Sequence, residues 1–378
     1  MSQRVICHLC SFSPEYPGSF VDALLCLADY GRRVHQAETL CVFPEEARTR
    51  KWLQRLEQQN VHYAFVPRKR NVIASVRSAL RDYEPVLFHT HFFLFDLAPV
   101  VLKVTRYRRA GIVWHYHNPA VARLPHRIKD FIKLRMVARC AGVQCIAVGD
   151  GVYRSVLEAG LPGDRLTLIH NGIDASRFAP DPERRRAVRE SFGASLDCTV
   201  YLVLGLDPLR KGVDLFIQAA AELHSRRRAN ALFLIIGRGE TREFVASMPE
   251  HSRLGSSLRV IEPGDSFGDL LGGVDVMVSC SRSEGLSYAV LESMAAERLV
   301  ISSDIPGVRE TYGRAGGVWL FPSGDRLQLA RLMGDIADLA EPERTARGQE
   351  NARLVKTRYS LESWAGKVGV VYERVLGG

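Results

Sequence analysis

Two glutamates, Glu284 and Glu292, stand among small and apolar neighbours in RSEGLSYAVLESMAAERLV, residues 282–300. Leu291 and Met294 flank the second on what reads as a buried helix. A bare carboxylate is costly there and must meet solvent or a polar partner. DVMVSCS ahead of the pair reads as a strand, RSEG as a turn, and LSYAVLESMAA as a helix starting just after Gly285. The first-turn amides of Leu286, Ser287 and Tyr288 then lack intrahelical acceptors, so an anion can rest on them. Glu284 sits at the mouth of that helix and Glu292 two turns inside it. An ionised carboxylate only accepts hydrogen bonds, so hydroxyls are its natural partners. A ligand with hydroxyls at both ends and an anionic middle has the form of a nucleotide sugar. From chemistry alone, a solvated Glu292, or one paired with an arginine such as Arg298, explains the same residues equally well.

The histidines offer a second constellation. His89/His91 and His115/His117 form two H-x-H pairs at strand ends, and a period of two puts each pair on one face. No carboxylate or thiolate pattern accompanies them, so no metal is expected; they read as structural strand-end residues or as substrate contacts. His117 and His91 are the favoured cleft residues, with Asn118 beside them. Cys7 and Cys10 form a lone C-x-x-C inside an apolar strand, without a second pair to complete four ligands, and read as small buried hydrophobes. No Asp-x-Asp occurs, in keeping with a site built from amides and cations rather than a divalent ion.

Those residues need elements to hold them. Short apolar runs (VICHLCSF, VLFHTHF, IVWHYHN, then TVYLVLGL, ALFLIIG, DVMVSCS) alternate with amphipathic stretches such as EEARTRKWLQRLEQQ. That rhythm predicts an α/β chain of repeated βαβ units: two Rossmann-like parallel-sheet domains facing a central cleft. The rhythm breaks at NGIDASRFAPDPERRR, which divides the chain into a first domain at 1–175 and a second at 176–356. A closing helix at 357–378 is expected to pack back toward the first. A chain of 378 residues accommodates two such domains. No apolar run reaches the roughly 18 residues that span a bilayer. The first strand begins too early to leave room for a signal segment, so the cytoplasm is the expected compartment.

The formal charge of +9 is uneven: residues 1–180 hold 25 Lys and Arg against 15 Asp and Glu, the remainder 26 against 27. LPHRIKDFIKLRMVARCAG within the basic half reads either as an ordinary packed helix or as a basic amphipathic one, at 124–142, in peripheral contact with anionic membrane. Nucleic acid is not an expected partner, because no recognised module appears and the arginines are not interleaved with exposed aromatics.

Together these stretches resemble the retaining glycosyltransferases of the GT-B fold, family 4. Glu284-x7-Glu292 within EGLSYAVLESMA is similar to that family's signature. LIHNGIDASRF matches its NGID segment, RKGVDLFIQAAAEL its Lys-Gly helix start, LIIGRGE its strand end at Gly237, and SSDIPGVRE the segment after the second glutamate. The resemblance implies that Glu292 accepts the ribose hydroxyls and Glu284 holds a hydroxyl of the donor sugar. Lys211 would neutralise the diphosphate, helped by the amides of Gly285, Leu286 and Ser287. Gly18 in SPEYPGS corresponds to the family's glycine loop, and His117 to a histidine near the transferred sugar. Transfer would be metal-independent and front-sided, with a UDP-sugar favoured over a GDP-sugar and no further cofactor. The acceptor is unidentified, with an anionic or lipid-linked one suggested by the basic half. Leu206 departs from the pattern, standing where the family usually has a phosphate-binding arginine; Arg210, Arg282 or Arg238 is the expected substitute. Glu297, Arg298, Leu299 and Val300 depart from the small-residue stretch after the second glutamate. The Leu206 departure also raises an alternative, a family relative without activity that supports a partner enzyme.

Overall fold

The computed structural model describes residues 3–69, 71–119, 132–227, 230–264 and 267–377. It divides into two compact units: Met1–Gly172 with Leu361–Gly378, and Ile173–Ser360. The chain leaves the first unit at 172 and returns at 360, against the expected 175 and 356. Ile173 and Ser360 form a parallel bridge, so the way into the second unit and the way out of it lie side by side.

The first unit holds a seven-stranded sheet: β1 (Gln3–Cys10), β2 (Glu38–Pro44), β3 (His62–Val66), β4 (Tyr83–His91), β5 (Gly111–Tyr116), β6 (Gln144–Ala147) and β7 (Leu166–Leu168). All pairings are parallel, in the order β3-β2-β1-β4-β5-β6-β7. β1 and β5 are buried almost end to end, as strands covered on both faces must be. On one face Val5, Cys7 and Leu9 pack with Leu40, Phe88 and Leu102. On the other, Ile6, Leu87, Val113 and Ile146 pack against Trp364, Val368, Val371 and Tyr372 of the helix Leu361–Leu376. Cys7 and Cys10, three apart in a strand, point to opposite faces and are free and buried, so they form no thiol pair.

The second unit holds six parallel strands: β8 (Thr199–Leu204), β9 (Ala231–Ile236), β10 (Leu258–Ile261), β11 (Val276–Ser279), β12 (Leu299–Asp304) and β13 (Val318–Pro322), ordered β10-β9-β8-β11-β12-β13. Its core joins Tyr201, Phe216, Phe233, Val278, Ile301, Phe321 and Met333. Arg189, only 1% exposed, is held by Asp275 at 3.0 Å and by the carbonyls of Gly273 and Ser195. Asp275 also accepts from Arg185 and from the amide of Val200, which ties the helix Pro182–Ser191 to the start of the sheet. Burial pushes the Asp275 carboxyl up, yet Arg185 and Arg189 pull it below the usual carboxylate range. No helix among the described residues is long and apolar enough to cross a membrane.

Candidate functional site

In the second unit the strand order reverses between β8 and β11. The segments leaving their C-terminal ends diverge and open a crevice, the place where open parallel sheets take ligands. The segment after β8 brings Lys211 and Gly212 to the start of the helix Val213–Arg227, and the segment after β11 brings Ser281 and Glu284 to meet them. The Lys211 ammonium lies against Oε1 of Glu284, and the Ser281 hydroxyl donates to the same oxygen at 2.7 Å. Arg210 approaches it at 3.7 Å while its Nε holds Asp207 at 2.8 Å. Burial pushes the Glu284 carboxyl up, but Lys211, then Arg210 and the Ser281 hydroxyl, bring it below its ordinary value. Glu284 therefore stays an acceptor at neutral pH. Gly212 makes the meeting possible: its φ is +69°, and a Cβ there would overlap the Cys280 carbonyl.

The helix after the turn spans Tyr288–Ala295, with Ser287 as its N-cap, and so begins later than the sequence pattern predicts. Gly285, Leu286 and Ser287 form the turn itself, because Ser287 is extended and its carbonyl accepts the first helical bond, from Leu291. Glu292 is 1% exposed and lies one turn beyond Tyr288, whose phenol is raised by burial and then by the Glu292 charge. Arg298 does not partner it, because the Arg298 guanidinium donates to the carbonyls of Ala296 and Val274.

Of the three arginines expected to replace the cation missing at Leu206, Arg210 reaches the Glu284–Lys211 pair. Arg282 is forked onto Asp214 at 2.9 and 2.6 Å. Arg238 stands at the N-cap position of the helix Gly239–Ala246, its side chain making no capping hydrogen bond. Leu206 itself is 40% exposed. Gly237 packs against Thr241, leaving no room for a side chain, and Thr241 in turn donates to the carbonyl of Gly205. Packing alone thus demands glycine at 237.

The first unit has its own switch point, between β1 and β4. Gly18, with φ +53°, opens the helix Gly18–His35. His91 ends β4 and His117 follows β5, both buried, while Asn118 next to them is exposed. Period two puts His89, His91, His115 and His117 on one face, and β1 adds a fifth, His8, opposite His89. Ligand atoms of His8, His89 and His91, and of His91, His115 and His117, lie within 4.8 Å of one another. Burial lowers the basicity of all five, His8 and His117 to about 3, so the cluster is neutral at pH 7. Pattern reading missed His8, a lone histidine in an apolar strand, and Ser281; the spacing of Ser281 three residues before Glu284 was the available signal. Of the basic segment expected at 124–142, residues 124–131 lie outside the described ones. In the rest, Ile132 and Met136 are exposed beside Arg135 and Arg139, while Lys133 holds Asp96 at 2.9 Å.

Two families match the chain, one in each half. Residues 25–177 match Glycosyltransferase Family 4, and residues 198–338 match Glycosyl transferases group 1. Among curated relatives, a D-inositol 3-phosphate glycosyltransferase of Catenulispora acidiphila is 28% identical over 56% of this chain and 51% of its own length. A GDP-mannose-dependent phosphatidylinositol monomannoside mannosyltransferase of Mycolicibacterium smegmatis is 30% identical over 54% and 53%. The chain thus spans about half the length of these relatives. Among solved structures, Anabaena HepE in complex with UDP-glucose superposes with a TM-score of 0.80 at 16% identity, covering 98% of this chain and 100% of that one. A glycosyltransferase from Rickettsia africae superposes at 0.79 and 16% identity, covering 98% and 99%. The chain thus carries a Glycosyltransferase Family 4 match in its first half and a Glycosyl transferases group 1 match in its second, on a fold it shares over nearly its whole length with solved GT-B glycosyltransferases.

Proposed function

We propose that this chain transfers a sugar from a nucleotide-sugar donor to an acceptor hydroxyl, with retention at the anomeric carbon and without a bound metal ion. The observation that carries the reading is the Lys211–Glu284 pair, fixed by Ser281 at the switch point of the second sheet, with Glu292 buried one turn into the helix that follows. In the resting site Lys211 is balanced by Glu284. An arriving diphosphate competes for the ammonium and leaves Glu284 to accept a hydroxyl of the donor sugar. As the bond from the anomeric carbon to the phosphate oxygen breaks, charge grows on the diphosphate. Lys211, Arg210 and the turn at Gly285, Leu286 and Ser287 stabilise it electrostatically. The acceptor oxygen bonds to the anomeric carbon on the same face, and its proton passes to the leaving phosphate oxygen. Glu292 takes the ribose hydroxyls. Of the first-unit residues, His117 and Gly18 are assigned to the donor sugar and phosphate and Asn118 to the acceptor, while His91, buried with both nitrogens on other rings, backs His117 instead of touching the acceptor.

UDP is the favoured nucleotide, since the HepE complexes hold UDP and UDP-glucose on the same fold. The mannosyltransferase relative uses GDP-mannose, which makes GDP-sugars the competing donors to test. The inositol-phosphate and phosphatidylinositol relatives, with the basic first half, favour an anionic or lipid-linked acceptor. Leu206, exposed where a cation is expected, supports a second reading: a subunit that binds donor without turning it over.

Calorimetry with UDP and a thermal-shift screen of UDP-, GDP- and ADP-sugars separate these readings. A donor at 100 times its Kd adds about 2.7 kcal/mol of stability. Glu292→Ala is expected to weaken UDP binding about tenfold or more, a loss of about 1.4 kcal/mol. Glu284→Ala frees Lys211, so UDP affinity holds or rises while transfer falls. Wild-type UDP affinity in folded Glu292→Ala overturns the assignment. Donor binding without transfer or hydrolysis across the panel selects the second reading.

A further inference from the structure

Three of the five buried histidines of the first unit form a hydrogen-bonded row, His8–His91–His117, while His89 and His115 form a separate link at 3.2 Å that ends on the Tyr372 hydroxyl. Nδ1 of His8 lies 3.2 Å from Nε2 of His91, and Nδ1 of His91 lies 3.1 Å from Nε2 of His117. A neutral imidazole has one N–H and one bare nitrogen, so each link must join a donor to an acceptor and all three rings take the same tautomer. His8 is the blind end: its Nε2 is buried with no partner among the described residues, and His8 is 0% exposed. His117, at 7%, is the most exposed of the five and forms the outer end. A buried N–H left without an acceptor is rarer than an under-used acceptor, so the bare nitrogen belongs at His8 Nε2. The protons then sit on Nδ1 of His8, His91 and His117. Because the inner end meets no solvent, the row cannot carry protons through; it can only hold this arrangement.

The ring plane of His117 is fixed separately. Phe92 stacks on it at 4.3 Å between centroids, His115 stacks at 4.5 Å, and Phe20 meets it edge-on at 5.6 Å. Phe92 and Phe93 have φ of +66° and +64°, adjacent left-handed conformations that bulky residues keep only where surrounding structure enforces them. A metal ion is the rival use of this cluster. In either triad it would have to break a bond of His91, which spends each nitrogen on a different ring, and would place two positive charges where the described ligand groups are all neutral imidazoles.

We propose that His8 and His91 are positioning residues that lock His117 in its Nδ1–H tautomer, so that it meets a sugar hydroxyl as a fixed, uncharged hydrogen-bond donor. The role at the sugar rests on the glycosyltransferase reading; the lock itself does not. The test is long-range proton–nitrogen correlation on the full chain with ¹⁵N-labelled histidine, assigned with single His→Gln variants. Wild type is expected to show His91 and His117 each as one tautomer, protonated at Nδ1. His8→Phe should mix the tautomers of both, and His8→Gln should restore them, because its amide can donate to His91 Nε2. With a donor that turns over, His8→Phe should lower kcat/KM about tenfold, about 1.4 kcal/mol, with UDP affinity unchanged and with recovery in His8→Gln. Wild-type His117 protonated at Nε2 overturns the proposal. So do tautomers unmoved in His8→Phe, or stoichiometric zinc lost in His91→Gln. If no donor turns over, the tautomer result still decides, so failure of the lock and failure of the enzyme reading remain distinct.

Discussion

Gly212 shows how one backbone position sets a site that it does not touch. Its left-handed φ turns the chain after β8 so that Lys211 and Arg210 face the Ser281–Glu284 turn, and its missing side chain lets that loop lie on the Cys280 carbonyl. An alanine meets both penalties: about 1–2 kcal/mol for the left-handed backbone and about 1–3 kcal/mol for overpacking. Gly212→Ala is expected either to destabilise the second unit by that sum or to move the loop and weaken UDP binding, though the residue offers the donor nothing. Calorimetry and chemical denaturation on the same sample detect either result. Unchanged stability together with unchanged UDP affinity would show that the loop does not need this geometry. Lys-Gly was visible in the sequence as a pair, but the reason for the glycine was not, since the clash lies with a residue 68 positions away.

At the scale of elements, the alternation of apolar runs and amphipathic stretches was enough to read both parallel sheets, because strands covered on two faces are written as unbroken apolar runs. What escaped is what long-range pairing decides. The start of the helix Tyr288–Ala295 moved because Ser287 takes an extended N-cap conformation, a choice its sequence neighbours do not announce. His8 joined the histidine pairs only because β1 lies beside β4. A third feature emerged on the helix Leu97–Thr105, where Leu97, Val101 and Val104 are exposed at i, i+4 and i+7, near the exposed Arg106, Arg108 and Arg109. An apolar stripe with a basic flank suits an anionic bilayer surface, each cation adding about 1 kcal/mol. The chain is expected to co-sediment with vesicles containing phosphatidylglycerol and to be released by salt. Val104→Glu should cut binding about tenfold, given about 1.5–3 kcal/mol for burying such a side chain. Equal binding to neutral vesicles, or an indifferent Val104→Glu, removes the membrane from the account.

At the scale of the whole molecule, the two units differ in how they hold their titratable groups, and acid should separate them. In the first unit, burial keeps His8 and His117 uncharged down to about 3, and His89, His91 and His115 are lowered in the same direction. The unfolded chain protonates them near 6.5. Their neutral burial is therefore fully tolerated above that value, and stability drains away as pH falls below it, because the unfolded state binds the extra protons. At pH 5 that amounts to about 2 kcal/mol for His8 and the same for His117. In the second unit the buried carboxylates Asp275 and Glu284 are depressed, and their contribution holds until pH drops through the carboxylate range. Three of the four tryptophans, Trp52, Trp114 and Trp364, lie in the first unit, so indole emission reports mainly on it. Denaturant midpoints followed by tryptophan emission should fall steeply between pH 7 and pH 5. His89→Gln, which replaces one titrating ring by an amide, should flatten that slope even if it lowers the midpoint at pH 7. A midpoint that is level across this range would mean that the imidazoles are not buried as neutral rings, and the tautomer lock at His117 would fall with it.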